Sequence, residues 1–346
     1  MIVMEQKSPL IGLTLEGLRR VVAGCGLQQF AAKQIARRLY VNRATSIAEM
    51  TELSKQARAR MEESYVVGRH APLAEAQSSD GTVKYLFPGV GDRNVESVYI
   101  PDGDRATLCV SSQAGCKMNC SFCMTGRQGF HGNLTAADII NQVLSIPESE
   151  SLTNLVFMGM GEPLDNLQPV LDAIEILTAP WGLAWSPKRV TVSSIGKIKE
   201  LKTLIETTKV HVAISLHSPY PAERARLMPV EKGMPINEVL NLLRNYDFAH
   251  QRRLSFEYIM FRGVNDDARH CRELAKLLRG LDCRVNLIRF HAIPDSDLQP
   301  CSMAQMERFR DQLNEDGITA TIRASRGEDI MAACGMLAGS KRPAND

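Results

Sequence analysis

Three closely spaced cysteines carry the clearest chemical signal in this sequence. Cys116, Cys120 and Cys123 form a C-x3-C-x2-C pattern. Thiolates at this spacing can bind three irons of a [4Fe–4S] cluster, because such clusters are held by cysteine sulfurs. The fourth iron then has no protein ligand and can chelate the amino and carboxylate groups of a methionine. The pattern therefore predicts one cluster with a methionine-derived ligand beside it.

A structural zinc ion is the main alternative for this triplet, and buried free thiols are another. Structural zinc usually takes four ligands from paired short spacings. The other cysteines of the chain form no second C-x2-C pair. The ligand count therefore favours the cluster over zinc.

Strand-like and helix-like segments alternate from residue 105 onward, which predicts a parallel α/β sheet. The strand candidates are Ala106–Ser111, Leu155–Gly159, Val190–Ser194, Val210–Leu216, Leu254–Phe261 and Val285–Phe290. Amphipathic segments such as Ala136–Ser145, Leu167–Thr178 and Ile236–Tyr246 lie between them. We expect an α/β fold built on a partial (β/α)6 barrel.

Polar residues follow the carboxyl ends of these strands, where barrel enzymes place their chemistry. Together with Gly161 and Leu216, which stand among them, they are Glu162, Ser193, Ser215, His217 and His291. Any one of them alone would be read as a turn or capping residue. Their convergence on one rim favours a ligand site.

The N-terminal 70 residues differ from the rest in charge. They hold eleven Lys and Arg against six Asp and Glu, whereas the remaining 276 residues carry a net charge of −3. Three amphipathic segments, ending with one from Ile47 to Glu63 that opens at Ser46, predict a helical domain over residues 1–70. Such a domain can dock RNA through its phosphates, or it can be a solvated packing domain.

Residues 71–104 predict a short antiparallel β extension. The turn signal Ser78–Gly81 precedes two β-prone runs, Val83–Phe87 and Val95–Ile100. Glu96 lies in the second run among Val and Tyr. It is either an edge-strand charge in solvent or, if it faces a cavity, a usable base.

The domain plan is completed by the barrel over residues 105–295 and a C-terminal segment over residues 296–346. That segment contains a further strand at Thr319–Ser325 and a predicted short helix near Cys334. The tail after Gly339 is predicted to be disordered.

Composition favours a cytoplasmic protein without membrane contact. No apolar run approaches the ~20 residues of a membrane span, and the N-terminus lacks the form of a signal peptide. The cysteine number is odd, at nine, which indicates reduced thiols.

The sequence resembles the RlmN family of dual-specificity 23S rRNA/tRNA adenine-C2 methyltransferases in five stretches. These are ATLCVSSQAGCKMNCSFC, FMGMGEPLDN, RVTVSS, AISLH and SRGEDIMAACG. The resemblance implies a radical S-adenosylmethionine (SAM) enzyme that methylates C2 of one adenosine in the peptidyl-transferase centre and of the adenosine 3′ to the tRNA anticodon. The implied partners are 23S rRNA, tRNA and an electron donor such as flavodoxin or ferredoxin.

The resemblance also implies residue roles. Cys116, Cys120 and Cys123 match the cluster ligands, Cys334 the methylated cysteine, Cys109 the resolving thiol and Glu96 the proton acceptor. The rim residues Gly161, Glu162, Ser193, Ser215, Leu216, His217 and His291 match the positions that bind SAM. Arg105 and Arg127 are candidates for holding the RNA backbone.

Two SAM molecules per turnover are implied, because one methylates Cys334 and a second supplies the radical. A disulfide between Cys109 and Cys334 then forms on product release and must be reduced.

Two alternative functions remain at this point. A C8-methylating Cfr-like rRNA methyltransferase would use the same five cysteines, but those enzymes resemble GEAL where this chain has Pro163 in GEPL. A non-catalytic RNA-binding protein with a structural metal would leave Cys109 and Cys334 without a role.

Overall fold

The N-terminal helices form a small unit closed by a two-stranded sheet. A computed structural model describes residues 7–249 and 253–340. Strand β1 (Ser8–Pro9) pairs in parallel with β2 (Tyr65–Val66). Between them lie α1 (Leu15–Gly24), α2 (Ala31–Ala36), continued by one π-helical turn, and α3 (Lys55–Ser64). The chain between β1 and β2 is thus mainly helical.

The single helix expected from Ile47 to Glu63 is wrong. A 3₁₀ turn covers Ile47–Glu49, where Ser46 and Glu49 form a capping box. The α-helix begins only after Ser54, whose side chain accepts a hydrogen bond from the amide of Ala57. Two capping serines start two separate helices here, and the apolar pattern runs through both of them.

The rest of the chain is built on a ten-stranded mixed sheet. Its first strands are β3 (Ala74–Gln77), β4 (Val83–Pro88), β5 (Asn94–Asp102) and β6 (Arg105–Cys109). The hairpin of β7 (Gln113–Gly115) and β8 (Phe130–Asn133) follows, and it frames residues 116–123, which we name the cysteine loop. The later strands are β9 (Asn154–Phe157), β10 (Val190–Ser194), β11 (His211–Ser215), β12 (Leu254–Met260), β13 (Arg284–Arg289) and β14 (Thr319–Arg323).

The sheet order confirms the partial barrel. Strands β6, β9, β10, β11, β12 and β13 are neighbours in that order and all pairs are parallel, with β14 added beside β13. On the other side, β5, β4 and β3 continue antiparallel from β6. The sheet is open, because β14 and β3 are its two ends.

Helices cover the outside of the barrel. They are α4 (Met124–Arg127), α5 (Ala136–Leu144), α6 (Leu167–Thr178), α7 (Ile198–Thr207), α8 (Pro221–Leu227), α9 (Ile236–Leu243), α10 (Ala268–Leu278) and α11 (Met303–Glu315). The apolar faces of α5, α6, α7, α9, α10 and α11 are buried in the main core, whereas Met124 of α4 and Leu227 of α8 pack in a second, smaller apolar cluster. None of the helices in the described part of the chain is long and apolar enough to cross a membrane.

Residues 324–340, which we name the Cys334 loop, follow β14. The short helix expected around Cys334 is wrong, because the described residues there form turns and bends. Gly327, Met331 and Gly335 have positive φ angles of 63°, 53° and 85°, which interrupt any helical run. The disorder expected after Gly339 is wrong for Ser340, whose carbonyl accepts a hydrogen bond from the Asn94 amide at 2.8 Å. Residues 341–346 lie outside the described residues.

Candidate active site

The cysteine loop between β7 and α4 is fixed by its backbone. The amide of Cys116 donates to the carbonyl of Gly129 at 2.9 Å, and the amide of Cys123 donates to that of Cys120 at 3.1 Å. Gly115 has a φ of +75°, and a Cβ on it would lie 1.8 Å from the Gly129 oxygen. Only glycine can precede Cys116, because any side chain would push the two strands of the hairpin apart.

An ion-pair network joins this loop to the segment after β9. Lys117 in the loop lies 3.1 Å from one oxygen of Asp165, and Lys197 lies 2.7 Å from the other. The two ammonium groups overcome the effect of partial burial and hold the pKa of Asp165 below its usual value. The network therefore positions the cysteine loop against the residues that follow Glu162.

The three cysteines of the triplet line one cavity, which we name the inner cavity. Burial raises the pKa of Cys116 to about 12 and that of Cys120 well above its usual value, and neighbouring thiols of the triplet raise both further. Within the described residues, no three His, Cys, Asp or Glu side chains converge on one metal ion. A cluster needs no such convergence, because its thiolates bind different irons. The donor set fits a [4Fe–4S] cluster whose irons neutralise the crowded thiolates.

Glu162 lines the inner cavity together with the three cysteines. One of its oxygens accepts from Ser194 Oγ at 2.6 Å and the Leu164 amide at 3.0 Å, and the other accepts from the Ile195 amide at 3.0 Å. Burial nevertheless raises its pKa to about 7. The fixed carboxylate can bind the cationic end of a ligand.

The structure brings five of the seven predicted SAM-binding residues to this cavity. Gly161, Glu162, Ser193, Ser215 and His217 all line it together with the cysteines. Leu216 is fully buried, and its carbonyl accepts a hydrogen bond from Arg224. His291 lines an adjacent cavity instead.

Arg224 is a buried residue of this site that the sequence analysis missed. Its guanidinium donates to the carbonyls of Ser215 and Leu216 at 2.8 and 3.0 Å and pairs with the buried carboxylate of Glu231. It therefore fixes the turn that carries His217, whose φ is +57°. Nothing in the sequence around Arg224 indicates this role.

His217 is a neutral imidazole in this site. Burial lowers its pKa to about 3. Its Nδ1 accepts a hydrogen bond from the Ile259 amide at 3.0 Å, and its ring meets the Phe122 ring edge-on at 4.8 Å. His217 thus contacts the cysteine loop through Phe122 and can offer only its second nitrogen to a ligand.

Cys334 lies where two cavities meet. It lines the inner cavity and also a second one, the outer cavity, which contains Asp102, Arg105, His291 and Arg326. Arg323 and Ile288 are the other residues that line both. A group on the Cys334 sulfur can therefore face the cluster side or the outer side.

Cys109 lies in β6 near Cys334. Burial and, second, the nearby Cys334 raise its pKa to about 12, whereas the guanidinium of Arg323 acts in the opposite direction. Both cysteines are free thiols here, so the structure shows the reduced state and does not support the predicted disulfide. Arg323 was also missed, because its place beside both thiols depends on the position of β14.

Glu257 is a second missed residue of the inner cavity. One oxygen accepts from Asn286 at 2.8 Å, and the other has no hydrogen-bond partner and lies 4.0 Å from Arg323. Burial raises its pKa. A carboxylate in the apolar run LSFEYIM could have been noticed, as the one in VESVYIP was.

Glu96 is buried, but it lines neither cavity. Its Oε1 lies 3.1 Å from Lys84 Nζ, and its Oε2 accepts from the amides of Ala338 and Gly339 at 2.9 and 3.1 Å. The carboxylate therefore contacts the Cys334 loop rather than open space.

The outer cavity has a cationic lining. Arg105, Arg323 and Arg326 contribute guanidinium groups, and Asp102 pairs with Arg326 at 2.9 Å. His291 Nε2 lies 3.0 Å from Ser325 Oγ, and its Nδ1 lies 3.1 Å from Glu328 without hydrogen-bond alignment. Arg127, in contrast, donates to the carbonyls of Ser121 and Asp295 and braces the cysteine loop.

Two family models match the chain. Residues 110–275 match the radical SAM superfamily, and residues 9–67 match the ribosomal RNA large subunit methyltransferase N-terminal domain. The first match covers the barrel from the cysteine loop through α10, and the second covers the helical unit.

Curated relatives and one solved structure are similar over nearly the whole length. The chain is 59% identical over 343 residues to a probable dual-specificity RNA methyltransferase RlmN of Bacteroides thetaiotaomicron, covering 99% of each chain. It is 41% identical to the dual-specificity RNA methyltransferase RlmN of Marinomonas sp., covering 96% of this chain and 94% of the relative. A radical SAM methyltransferase from Sphaerobacter thermophilus superposes with a TM-score of 0.89 at 38% identity, covering 95% of this chain and 99% of that one. The chain therefore belongs to the RlmN family of radical SAM RNA methyltransferases.

Proposed function

We propose that this protein methylates C2 of an adenosine in 23S rRNA and of the adenosine 3′ to the anticodon in tRNA, with Cys334 as the methyl carrier. The observation that carries this proposal is the place of Cys334 at the junction of the inner and outer cavities. The names of the relatives support an RNA substrate with two specificities. The cationic outer cavity is the proposed entry for the RNA base.

Cys116, Cys120 and Cys123 would hold the cluster, and Glu162, Ser193, Ser215 and His217 would hold SAM beside it. When bound, the cluster supplies the electron that converts SAM into a 5′-deoxyadenosyl radical. The fixed Glu162 carboxylate can accept the SAM ammonium group. Leu216 and His291 remain proposed SAM contacts, although their side chains lie outside the inner cavity. They would reach SAM through backbone groups or after a rearrangement on binding. Two SAM molecules per turnover are proposed.

Cys334 is needed because adenine C2 does not attack an electrophilic methyl group. The Cys334 sulfur takes a methyl by displacement from a first SAM, and a hydrogen atom is later removed from that methyl. The resulting methylene radical adds to C2 and joins the protein to RNA as a radical adduct. This adduct must lose the C2 proton and one electron, for which the oxidised cluster would be the acceptor. The Cys109 thiolate then attacks the Cys334 sulfur, the sulfur–carbon bond breaks, and its electron pair goes to the new carbon, which takes up a proton and becomes the methyl group. An external reductant must reduce the disulfide that remains.

Glu96 is our proposed acceptor of the C2 proton. Its carboxylate is buried and contacts the Cys334 loop directly. A carboxylate needs hydrogen-bond reach to the proton that it removes. We therefore expect the Cys334 loop to rearrange when RNA binds. Glu96 Oε2 would then lose a hydrogen bond from a loop amide and contact the adenine base instead.

The remaining parts have proposed roles at the level of domains. Residues 1–70 would dock RNA, residues 71–104 would support the Cys334 loop, residues 105–295 would form the SAM barrel, and residues 296–346 would carry Cys334. Arg105 in the outer cavity is a proposed RNA contact. A flavodoxin or ferredoxin is the proposed electron donor, and the cytoplasm the proposed location, because cluster and thiols need reducing conditions.

Nucleoside analysis tests this function. The gene is expressed in a bacterial strain that lacks its own enzyme of this type, and its rRNA and tRNA are digested and analysed by mass spectrometry. We expect 2-methyladenosine in both RNAs. The C8-methylated nucleoside would instead identify the Cfr-like alternative, and no methylated product would overturn the proposal.

A further inference from the structure

We propose that Asp80 and Asp329 are positioning residues that fix the Cys334 loop, because each carboxylate accepts hydrogen bonds from the turn that carries the other. The inference rests on the function proposed above, because it explains how the methyl carrier is held between its partners. The two residues belong to separate parts of the chain. Asp80 lies in the turn between β3 and β4, and Asp329 lies in the Cys334 loop.

Each carboxylate binds the other's turn. Asp80 Oδ2 accepts from the Gly327 amide at 3.0 Å, while its Oδ1 accepts from the Thr82 amide at 2.9 Å. Asp329 Oδ1 accepts from Ser78 Oγ at 2.5 Å, and its Oδ2 accepts from the Ser79 amide at 3.1 Å. All four carboxylate oxygens thus accept a hydrogen bond. Two of these bonds come from backbone amides of the other turn, those of Gly327 and Ser79. Hydrogen bonds to charged acceptors are the stronger kind.

Close packing shows that this contact is built for these two turns. Gly327 has a φ of +63°, and a Cβ on it would lie 2.9 Å from Thr82 Cγ2 and 2.8 Å from the Ala332 Cβ. Only glycine fits between the turns. Arg326 adds an ion pair with Asp102 at 2.9 Å on the same side of the loop.

A second set of contacts holds the far end of the loop. The Met124 amide donates to the Gly335 carbonyl at 2.8 Å, and Thr125 Oγ1 donates to the Leu337 carbonyl at 2.6 Å. Glu96 binds the amides of Ala338 and Gly339. Cys334 therefore lies between two anchored ends.

The loop needs external anchors because it has no regular structure of its own. Without a helix, its backbone groups must find partners elsewhere. The reaction requires the Cys334 sulfur to reach the inner cavity, the outer cavity and Cys109, and small displacements of a reacting group are costly. The hydrogen bonds of Asp80 and Asp329 anchor the N-terminal end of the Cys334 loop.

Alkylation of Cys334 tests this proposal directly in the cluster-bound, full-length enzyme, prepared with the Cys334 thiol unmethylated. The double variant Asp80→Asn/Asp329→Asn removes one accepting oxygen from each carboxylate. We expect iodoacetamide to label Cys334 about tenfold faster, since at least two hydrogen bonds are weakened, while labelling of Cys25 and Cys283 stays unchanged. We also expect kcat for RNA methylation to fall at least tenfold with KM for RNA unchanged.

Three comparisons make the outcome decisive. Asp311→Asn removes an exposed Asp–Arg pair on α11. It should change neither the rate of Cys334 labelling nor kcat for RNA methylation. If the double variant labels all cysteines faster, it has unfolded globally. Ser78→Ala then takes its place, because it leaves both carboxylates intact and removes only the hydrogen bonds of Ser78 Oγ to Asp329 and from the Asp80 amide. Asp80→Glu/Asp329→Glu retains both charges and should recover part of kcat. Unchanged Cys334 labelling and unchanged kcat would overturn the proposal, and the labelling result stands even if the RNA product is not 2-methyladenosine.

Discussion

At the scale of single residues, the two buried carboxylates near Cys334 have different surroundings. Glu96 is held by Lys84 and two backbone amides of the Cys334 loop. Glu257 has one oxygen without a hydrogen-bond partner and faces the inner cavity. The first therefore suits a proton acceptor that is coupled to the loop, and the second suits a ligand contact beside the cysteines.

Glu96→Gln separates these roles. A general base contributes about 10²–10⁴-fold to rate, so we expect RNA methylation to fall by that order while Cys334 still receives its methyl from SAM. Single-turnover kinetics and peptide mass spectrometry measure the two steps. Near-normal RNA methylation by Glu96→Gln, together with loss in Glu257→Gln at saturating SAM, would move the acceptor role to Glu257.

Residue types also set the limit of what could be predicted. The convergence of the cysteine triplet on one cavity was predictable, because the short spacing keeps the three thiols close together. The inner-cavity location of Glu162, Ser193 and Ser215 followed from strand ends. Arg323 and Arg224 were not predictable, since a cation beside thiols or carbonyls depends on packing between distant segments. His291 was placed on the correct rim, but its side chain points toward Ser325 in the outer cavity.

At the scale of elements, the strand and helix periods predicted the barrel well. Strand Val190–Ser194 and helix Leu167–Thr178 have the predicted bounds. The helix near Cys334 failed because three positive φ angles interrupt the alanine-rich run. The β7–β8 hairpin was missed, since its short strands contain glycine and polar residues rather than β-branched ones.

The buried pair of Arg224 and Glu231 is a stability determinant of the α8 region. Both side chains are almost inaccessible, at 0% and 4% exposure. Arg224→Met leaves the Glu231 charge uncompensated and should lower the free energy of unfolding by about 3–5 kcal/mol. Urea titration measures this loss, and binding of SAM should weaken with it because Ser215 and Leu216 lose their donor.

Two variants control this prediction. Arg224→Met/Glu231→Gln removes the charge along with its partner and should recover part of the stability. Arg269→Met removes a partly exposed pair with Glu223 and should cost no more than about 1 kcal/mol. A loss in Arg224→Met no larger than that of Arg269→Met would show that the pair does not stabilise the fold.

At the scale of the whole molecule, the barrel, the β extension and the Cys334 loop together line two adjoining cavities that share Cys334, Arg323 and Ile288. The cysteine loop closes the inner side, and the cationic outer cavity opens beside Arg105 and Arg326. The basic N-terminal 70 residues lie on a body of net negative charge. This charge distribution suits the recruitment of RNA to the protein.

Iron content tests the cofactor assignment. Protein purified without oxygen should contain about four irons and four sulfides per chain if the triplet binds one cluster. Changing Cys116, Cys120 and Cys123 together to Ala should remove the iron and the cleavage of SAM. Stoichiometric zinc without iron, after anaerobic reconstitution, would instead support the structural-metal alternative.

The capture of a covalent protein–RNA adduct tests the central claim most directly, because every part of the molecule must work before it forms. Cys109→Ser should still carry a methyl on Cys334 and join it to adenine, but a serine hydroxyl cannot attack the sulfur to release the product. We therefore predict a slow-migrating, nuclease-sensitive band on a denaturing gel, absent from Cys109→Ser/Cys334→Ala. Multiple-turnover methylation by Cys109→Ser, with no such band, would contradict the proposed mechanism.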